Sequence, residues 1–197
     1  MIHDVCAIVL AAGQGSRYRA VAGGDLHKLL APCQGRDAIV RPVLEHVLVG
    51  LSEVVVKCLL ITRPELVDVS RLGRRYGCEV LLLDSPGMGD SLAAAVAAAP
   101  DYRGWVVALG DMPFILPGTL DQVIDSLQDD AISVPVYQGQ RGHPVGFGRS
   151  FGSALMSLTG DQGAKRLFQT ARVQTIEVDD PGVLWDVDVP EALVFKY

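Results

Sequence analysis

The chain has no excess of positive charge. Its 17 Lys and Arg residues are outnumbered by 23 Asp and Glu residues, which gives a formal net charge of −6. Proteins that bind the backbone of a nucleic acid carry a basic face. We therefore expect no nucleic-acid partner, although a small anionic ligand needs only a local cluster of cations.

Long apolar runs are also missing. None approaches the roughly 20 residues that a helix needs to span a bilayer. The first residues, Met1-Ile2-His3-Asp4, lack the positive region that opens a signal peptide. We therefore expect no membrane partner and a cytoplasmic location.

Cysteine is scarce and is poorly spaced for metal binding. The four cysteines are far apart, with no Cys-x-x-Cys pair and no histidine partner nearby; they are Cys6, Cys33, Cys58 and Cys78. This spacing favours buried reduced thiols over a zinc site or a disulfide framework.

Short apolar runs that alternate with helical patterns dominate what the sequence does contain. Strands that are apolar on both faces and separated by helices indicate a mainly parallel sheet covered on both sides. The handedness of the crossovers then predicts an α/β fold with three layers and a doubly wound, mainly parallel sheet. The absence of repeats and linkers favours one domain over residues 1–197. The predicted strands are Val5–Leu10, Val54–Thr62, Val80–Leu83, Trp105–Leu109, Ile132–Tyr137 and Val173–Val178. The predicted helices are Pro42–Val49, Glu65–Tyr76, Ser91–Ala99, Thr119–Leu127, Asp161–Thr170 and a short terminal helix from Pro190.

Two loops of unusual composition follow predicted strands. One runs from Ala11 to Lys28 after the first strand, and the other is Gly110-Asp111-Met112-Pro113 after the fourth. Ligands of open parallel sheets bind beyond the carboxyl ends of the strands. The two loops are therefore expected at the ligand-binding edge of the sheet.

The first loop contains Gly13-Gln14-Gly15-Ser16-Arg17, in which glycines let backbone amides approach a ligand. A dinucleotide fingerprint would need a third glycine where Tyr18 stands, and the Gly-Lys-Ser/Thr of a P-loop is absent. An ordinary tight turn is the plain alternative for such a short motif. The cations Arg17 and Lys28 favour a phosphate ligand.

Acidic residues follow the fourth strand and precede the terminal helix. A carboxylate at a strand tip, such as Asp111, can hold Mg²⁺, although Asp also closes turns through its own backbone. Asp186 and Asp188 point to the same side if their segment is extended. Either could join Asp111 around a metal, but the pattern alone favours capping of the terminal helix.

Two further segments have candidate ligand contacts. Gly87-Met88-Gly89-Asp90-Ser91 leads into an alanine-rich helix, where it offers an anion or base contact, or simply an N-cap. His143, within Gly142-His143-Pro144, is a candidate ligand contact, although a single histidine in a turn is usually structural.

Taken together, these motifs resemble those of the MobA-like nucleotidyltransferases. The set comprises Leu10-Ala-Ala-Gly-x-Gly-x-Arg17 with Lys28, Gly87-Met-Gly89 with Ser91, and Leu109-Gly-Asp-Met-Pro113. The later segments Arg141-Gly-His-Pro-Val-Gly-Phe147, Gly160-Asp-Gln-Gly-Ala-Lys165 and Asp186-Val-Asp-Val-Pro-Glu191 resemble the molybdenum-cofactor cytidylyltransferase branch. The resemblance covers nearly the whole chain.

The resemblance implies a Rossmann-like nucleotidyltransferase fold and transfer of CMP from CTP to molybdopterin, with Mg²⁺ and release of pyrophosphate. A molybdenum hydroxylase that receives the product is an implied partner. Ala12, where guanylyl-transferring relatives usually have glycine, favours a pyrimidine. The implied catalytic residues are Arg17, Lys28 and Asp111; the metal ligands are Asp111 and Asp188; and the acceptor contacts are Gly142, His143 and Pro144. The implied nucleotide contacts are Leu10, Ala11, Ala12, Gly13, Gly15, Arg17, Lys28, Gly87, Gly89, Ser91 and Asp111.

Two alternatives to this predicted function stay open. The acceptor could be another phosphorylated molecule, such as a sugar or alditol phosphate, or the protein could bind and deliver a pterin cofactor without catalysis. The chain departs from the family pattern at Tyr18-Arg19, at Asp90 and at Val189. A flexible or reshaped loop is expected over Tyr18–Gly24.

Overall fold

The computed structural model describes residues 3–84 and 87–196; Met1 and Ile2, which belong to the segment weighed above as a signal peptide, lie outside it. Its strands are β1 (His3–Leu10), β2 (Pro32–Gln34), β3 (Val40–Pro42), β4 (Val55–Thr62), β5 (Glu79–Leu82), β6 (Gly104–Leu109), β7 (Ala131–Tyr137), β8 (Gln140–Arg141), β9 (Val145–Gly148) and β10 (Arg172–Glu177). Its α-helices are α1 (Ser16–Ala22), α2 (Val43–Ser52), α3 (Val67–Arg75), α4 (Met88–Ala98), α5 (Pro117–Asp125) and α6 (Gly152–Met156). Its 3-10 segments are Lys28–Leu30, Arg149–Phe151, Gly163–Gln169, Pro181–Leu184 and Pro190–Leu193.

The main sheet has the strand order β10-β7-β9-β6-β1-β4-β5, with β8 paired to β7. The pairs β1–β4, β1–β6, β4–β5 and β7–β10 are parallel. Strand β9 runs antiparallel between β6 and β7. The predicted doubly wound, mainly parallel α/β fold is therefore confirmed.

The strands of the sheet centre are buried on both faces, as their continuous apolar runs predict. Val5, Ala7 and Val9 of β1 pack on one side with α2, whereas Cys6 and Ile8 pack on the other side with α4. Both packed layers hold the carboxyl ends of β1 and β6 in fixed positions. Within the described residues, no helix is long and apolar enough to cross a bilayer.

The structure corrects the sequence prediction in three places. The expected loop over Tyr18–Gly24 is wrong, because Ser16–Ala22 is helical and ends at Gly23, which has a left-handed φ of 68°. Burial of Tyr18, which is 5% exposed, anchors this short helix. The predicted helix Asp161–Thr170 is instead a 3-10 segment, since Gly160 and Gly163 have positive φ values that interrupt an α-helical path. The strands β2, β3, β8 and β9 were not predicted because runs of two to four residues show no clear periodicity.

Candidate functional site

The candidate site lies where the strand order reverses. Chain order runs outward from β1 through β4 to β5, and then returns to β6 on the opposite side of β1. Leu10 at the end of β1 is paired with Leu109 at the end of β6, and the Gly110 amide donates a 3.0 Å hydrogen bond to the Leu10 carbonyl. The two loops singled out in the sequence therefore leave adjacent strand ends, where doubly wound sheets bind their ligands.

The glycine loop leaves three backbone donors unused. In the described part of the chain, the amide N–H groups of Gly13, Gln14 and Gly15 donate no hydrogen bond. Gly15 has a left-handed φ of 62°, a conformation that suits glycine. The loop borders a cleft of about 260 Å³, which we call the phosphate cleft and which is also lined by Arg17 and Lys28. Unpaired amides beside two cations form a site suited to an anion.

Lys28 connects the two acidic segments of the phosphate cleft. Its Nζ lies 2.5 Å from Asp111 Oδ2 and 2.7 Å from Asp188 Oδ1. Arg17 donates from a terminal nitrogen to Asp188 Oδ2 at 3.1 Å, although its side chain is 82% exposed. The structure thus brings together all four of these predicted site residues.

Charge pairing in this network sets the ionisation of two of its members. Burial opposes charging of Lys28, but the carboxylates of Asp111 and Asp188 outweigh it and raise the pKa of Lys28. The hydrogen bond from Lys28, helped by Arg17, lowers the pKa of Asp188. Lys28 and Asp188 are therefore charged at neutral pH.

Asp188 is positioned by its neighbour Val187. The Val187 side chain is fully buried, and its amide donates a 2.9 Å hydrogen bond to the Asp111 carbonyl. Asp188 can therefore turn toward Lys28 rather than toward the terminal 3-10 segment, whose N-cap residue, Val189, makes no side-chain capping bond. The capping role that the pattern alone favoured for these aspartates was wrong for Asp188.

A second cleft, of about 360 Å³, shares Leu10, Gly13 and Asp111 with the phosphate cleft and is called the base cleft here. It is lined by predicted residues, among them Ala12, Gly13, Gly87, Ser91 and Asp111. Ala11 instead faces the core, is 2% exposed and lines none of the clefts described here. Arg63, which the sequence analysis did not select, also lines this cleft and is held by Glu65 and Asp84, each at 2.6 Å.

The two glycines at the start of α4 are required by packing. A Cβ atom at Gly87 would collide with the Gly160 backbone, and one at Gly89 would lie 2.9 Å from the Gly160 carbonyl oxygen. The Gly89 amide already donates to that oxygen at 2.7 Å. Asp90 accepts a 2.8 Å hydrogen bond from the Gly160 amide, which explains a carboxylate at a position next to an expected anion site.

A third cleft, of about 440 Å³, is called the acceptor cleft here. Its walls are mainly apolar and come from Leu92, Val107, Val134, Val145, Phe147 and Phe168. Arg141 and Lys165 supply positive charge, and the Arg141 guanidinium lies 5.5 Å from the centre of the Phe168 ring.

The predicted acceptor residues meet this cleft unequally. Gly142 and His143 line it, whereas Pro144 is not among its lining residues. Gly142 packs against Val183, whose carbonyl also accepts the His143 amide at 2.9 Å. His143 Nδ1 is buried without a hydrogen-bond partner among the described residues, and burial lowers the pKa of this histidine.

A divalent metal fits the carboxylates of the phosphate cleft. One cationic nitrogen already lies within 2.7 Å of an oxygen of Asp111 and an oxygen of Asp188. No group of three His, Cys, Asp or Glu residues suited to a metal occurs in the described ranges 3–84 and 87–196. Mg²⁺ is commonly held by one or two carboxylates, with water and substrate phosphates as its other ligands. The two carboxylates of Asp111 and Asp188 therefore suit Mg²⁺, which also takes water and phosphate ligands, better than a metal ion that the protein alone must coordinate.

Residues 7–176 match the MobA-like NTP transferase domain, and the chain belongs to this family. The family resemblance predicted from the motifs is thereby confirmed.

Among known proteins, the chain is similar to the bifunctional protein GlmU of Sphingopyxis alaskensis, with 31% identity over 152 residues that cover 76% of this chain and 32% of GlmU. The chain thus spans about a third of the length of the curated relatives that it matches. The crystal structure of Rv0371c from Mycobacterium tuberculosis H37Rv is 27% identical, with a TM-score of 0.77 and 95% of each chain covered. Its homologue from Mycobacterium sp. strain JC1 is 26% identical, with a TM-score of 0.80 and coverage of 98% of this chain and 94% of that one. Rv0371c has also been crystallised in complex with manganese.

Proposed function

We propose that the protein is a nucleotidyltransferase that moves CMP from CTP to molybdopterin with the help of Mg²⁺ and releases pyrophosphate. One observation carries the proposal. A polar cleft with unused amides and paired charges meets a larger apolar cleft at a single residue, Leu10. A triphosphate fits the chemistry of the first cleft, and a flat ring system with a phosphate fits that of the second.

The phosphate cleft is suited to neutralising a triphosphate. The free amides of the glycine loop can donate to phosphate oxygens, while Arg17 and Lys28 supply two positive charges. The reaction forms a bond between an acceptor phosphate oxygen and the α-phosphorus, and it breaks the bond to pyrophosphate. Because the attacking oxygen is already anionic, alignment and charge stabilisation carry most of the catalysis.

Asp111 and Asp188 are the residues that would hold Mg²⁺. When bound, the metal stabilises negative charge on the phosphate oxygens. The same carboxylates pair with Lys28, at 2.5 Å and 2.7 Å. A triphosphate would compete for the Lys28 ammonium and so release the carboxylates for the metal.

The acceptor cleft favours a planar, phosphorylated molecule. Its apolar walls offer area for stacking of a ring, with Phe168 as an aromatic partner. Arg141 and Lys165 can pair with the acceptor phosphate, and His143 lines the same cleft. These features support molybdopterin over a sugar or alditol phosphate, which presents hydroxyl groups instead of a flat ring.

The base cleft supports a pyrimidine through Ala12, whose methyl group occupies space that a glycine would leave open. Arg63 is a donor on the same wall that could reach a base carbonyl. A molybdenum hydroxylase remains the proposed recipient of the product, and the cytoplasm remains the proposed location.

The decisive experiment supplies purified protein with molybdopterin, Mg²⁺ and each of the four nucleoside triphosphates, and follows pyrophosphate release. We expect release with CTP. Release with GTP but not CTP would refute the pyrimidine assignment. Release only with a sugar or alditol phosphate would identify the other acceptor class, and tight molybdopterin binding without any release would favour a delivery protein.

A further inference from the structure

We propose that His27 is a positioning residue for nucleotide binding, because it fastens the glycine loop to the segment that carries Lys28. This inference rests on the proposed binding of a triphosphate in the phosphate cleft. His27 lines none of the three clefts and was not selected from the sequence.

Both ring nitrogens of His27 are engaged. Nε2 lies 3.0 Å from the carbonyl oxygen of Gly13, and Nδ1 lies 3.3 Å from the amide nitrogen of Leu29. Gly13 is in the glycine loop, whereas Leu29 follows Lys28 directly. One imidazole therefore links the two halves of the phosphate cleft, and Gly13 lies 14 residues before His27 in the sequence.

These two partners define one state of the ring. A carbonyl oxygen can only accept, so Nε2 must carry a proton; the Leu29 amide donates, so Nδ1 must have its lone pair free. His27 therefore works as the neutral Nε2–H tautomer. The residue is 6% exposed, and burial, together with the charges of Arg19 and Lys28, lowers its pKa.

The bond to Gly13 also fixes the direction of a free amide. In a trans peptide the carbonyl and the next amide N–H point in opposite directions. Holding the Gly13 carbonyl toward His27 therefore holds the Gln14 N–H away from it, and Gly13 and Gln14 both line the open base cleft. The bond to Leu29 caps the 3-10 segment Lys28–Leu30 and so sets where the Lys28 side chain starts.

Two substitutions separate these roles. Asn is a good capping residue and can keep the bond to the Leu29 amide, but it is too short to reach Gly13. Gln can place its amide nitrogen near the position of Nε2 and so can keep the bond to the loop. His46→Asn is the matched control, because His46 makes a similar 2.9 Å bond to the Cys33 carbonyl and lines none of the three clefts.

The test measures CTP binding by calorimetry without acceptor, together with thermal melting and the steady-state constants. We expect His27→Asn to weaken CTP binding and raise the KM for CTP by about three- to tenfold, as for one lost hydrogen bond, with kcat nearly unchanged. We expect His27→Gln to restore much of the affinity and His46→Asn to leave it unchanged.

The outcomes test the role of His27 separately from the proposed function. CTP affinity of His27→Asn equal to that of the unmodified protein would overturn the role of His27. An equal loss of affinity in His46→Asn, with similar loss of melting temperature, would show a merely structural effect and would also overturn it. If the unmodified protein binds no nucleoside triphosphate at all, the proposed function itself fails.

Discussion

The phosphate cleft and the acceptor cleft share Leu10 but are built on opposite principles. The phosphate cleft is formed by backbone amides and by charges that already pair with one another, centred on Lys28. The acceptor cleft is larger and mostly apolar, with Arg141 and Lys165 as its cations. Under the proposed function, the phosphate cleft would recognise charge, which every nucleoside triphosphate shares, whereas the acceptor cleft would recognise shape. Specificity for the acceptor should therefore reside in the acceptor cleft.

The largest effect on the phosphate cleft is expected from Asp111→Asn. The change removes one carboxylate of the proposed metal site and one partner of Lys28, while Asn keeps the volume. We expect turnover, measured as pyrophosphate release, to fall by about 10²–10³-fold, as when other preorganised electrostatic groups are removed. Circular dichroism should show an unchanged fold. An active, folded variant would contradict the role of Asp111 in the phosphate cleft.

Two lysine substitutions test the two clefts separately. Lys28→Met removes the buried cation of the phosphate cleft, and we expect about a 10²-fold loss of turnover with any acceptor. Lys165→Met removes an exposed cation of the acceptor cleft, so we expect the KM for the acceptor to rise by up to about tenfold, because an exposed charge contributes little.

The control for this pair is the dissociation constant for CTP, measured without acceptor. This constant should rise in Lys28→Met, because CTP binding is weakened, and should be unchanged in Lys165→Met. Equal effects of the two substitutions on CTP binding would contradict the proposal that the phosphate cleft binds the triphosphate and the acceptor cleft binds only the acceptor.

The smallest expected effect is a dependence of stability on pH, to which each region contributes one histidine. Burial lowers the pKa of His27 beside the phosphate cleft and of His143 in the acceptor cleft. Both folded-state pKa values are then below the ordinary value of about 6.5, so the unfolded chain takes up protons first as pH falls. The free energy of unfolding should therefore decrease as pH drops below about 6.5.

Urea unfolding between about pH 7.5 and pH 5 measures this effect. His27→Asn should reduce the slope of stability against pH, since one of the two depressed groups is gone. A variant with an unchanged slope would show that His27 is not held neutral by the fold.

Much of the fold could be predicted from the sequence, because β1 and β6 contain unbroken apolar runs and the apolar run of β4 is interrupted only by Lys57. Short runs of this kind are typical of buried strands. The glycine loop and Asp111 could be found for a related reason: each directly follows a buried strand. His27 could not be found, since its role depends on a carbonyl 14 residues away along the chain. Arg63 shows the same limit, because only strand order brings β4 beside β1.

The motif Gly87-Met88-Gly89 shows a different limit of sequence interpretation. Its glycines suggested ligand contact; the structure packs both against Gly160, and Gly87 lines the base cleft as well. A glycine required for close backbone packing cannot be distinguished in the sequence from a glycine that lets a ligand approach the backbone. Only the neighbouring segment, 70 residues away for the Asp90 bond, distinguishes them.

That packing also limits how the protein can evolve. No side chain fits at Gly87 or Gly89 unless the backbone around Gly160 moves first, and Asp161, the next residue, borders both the base cleft and the acceptor cleft. A lineage that changes its acceptor cleft by remodelling the 159–165 segment would therefore alter the base cleft in the same step. Donor and acceptor preference are expected to diversify together across descendants of this chain.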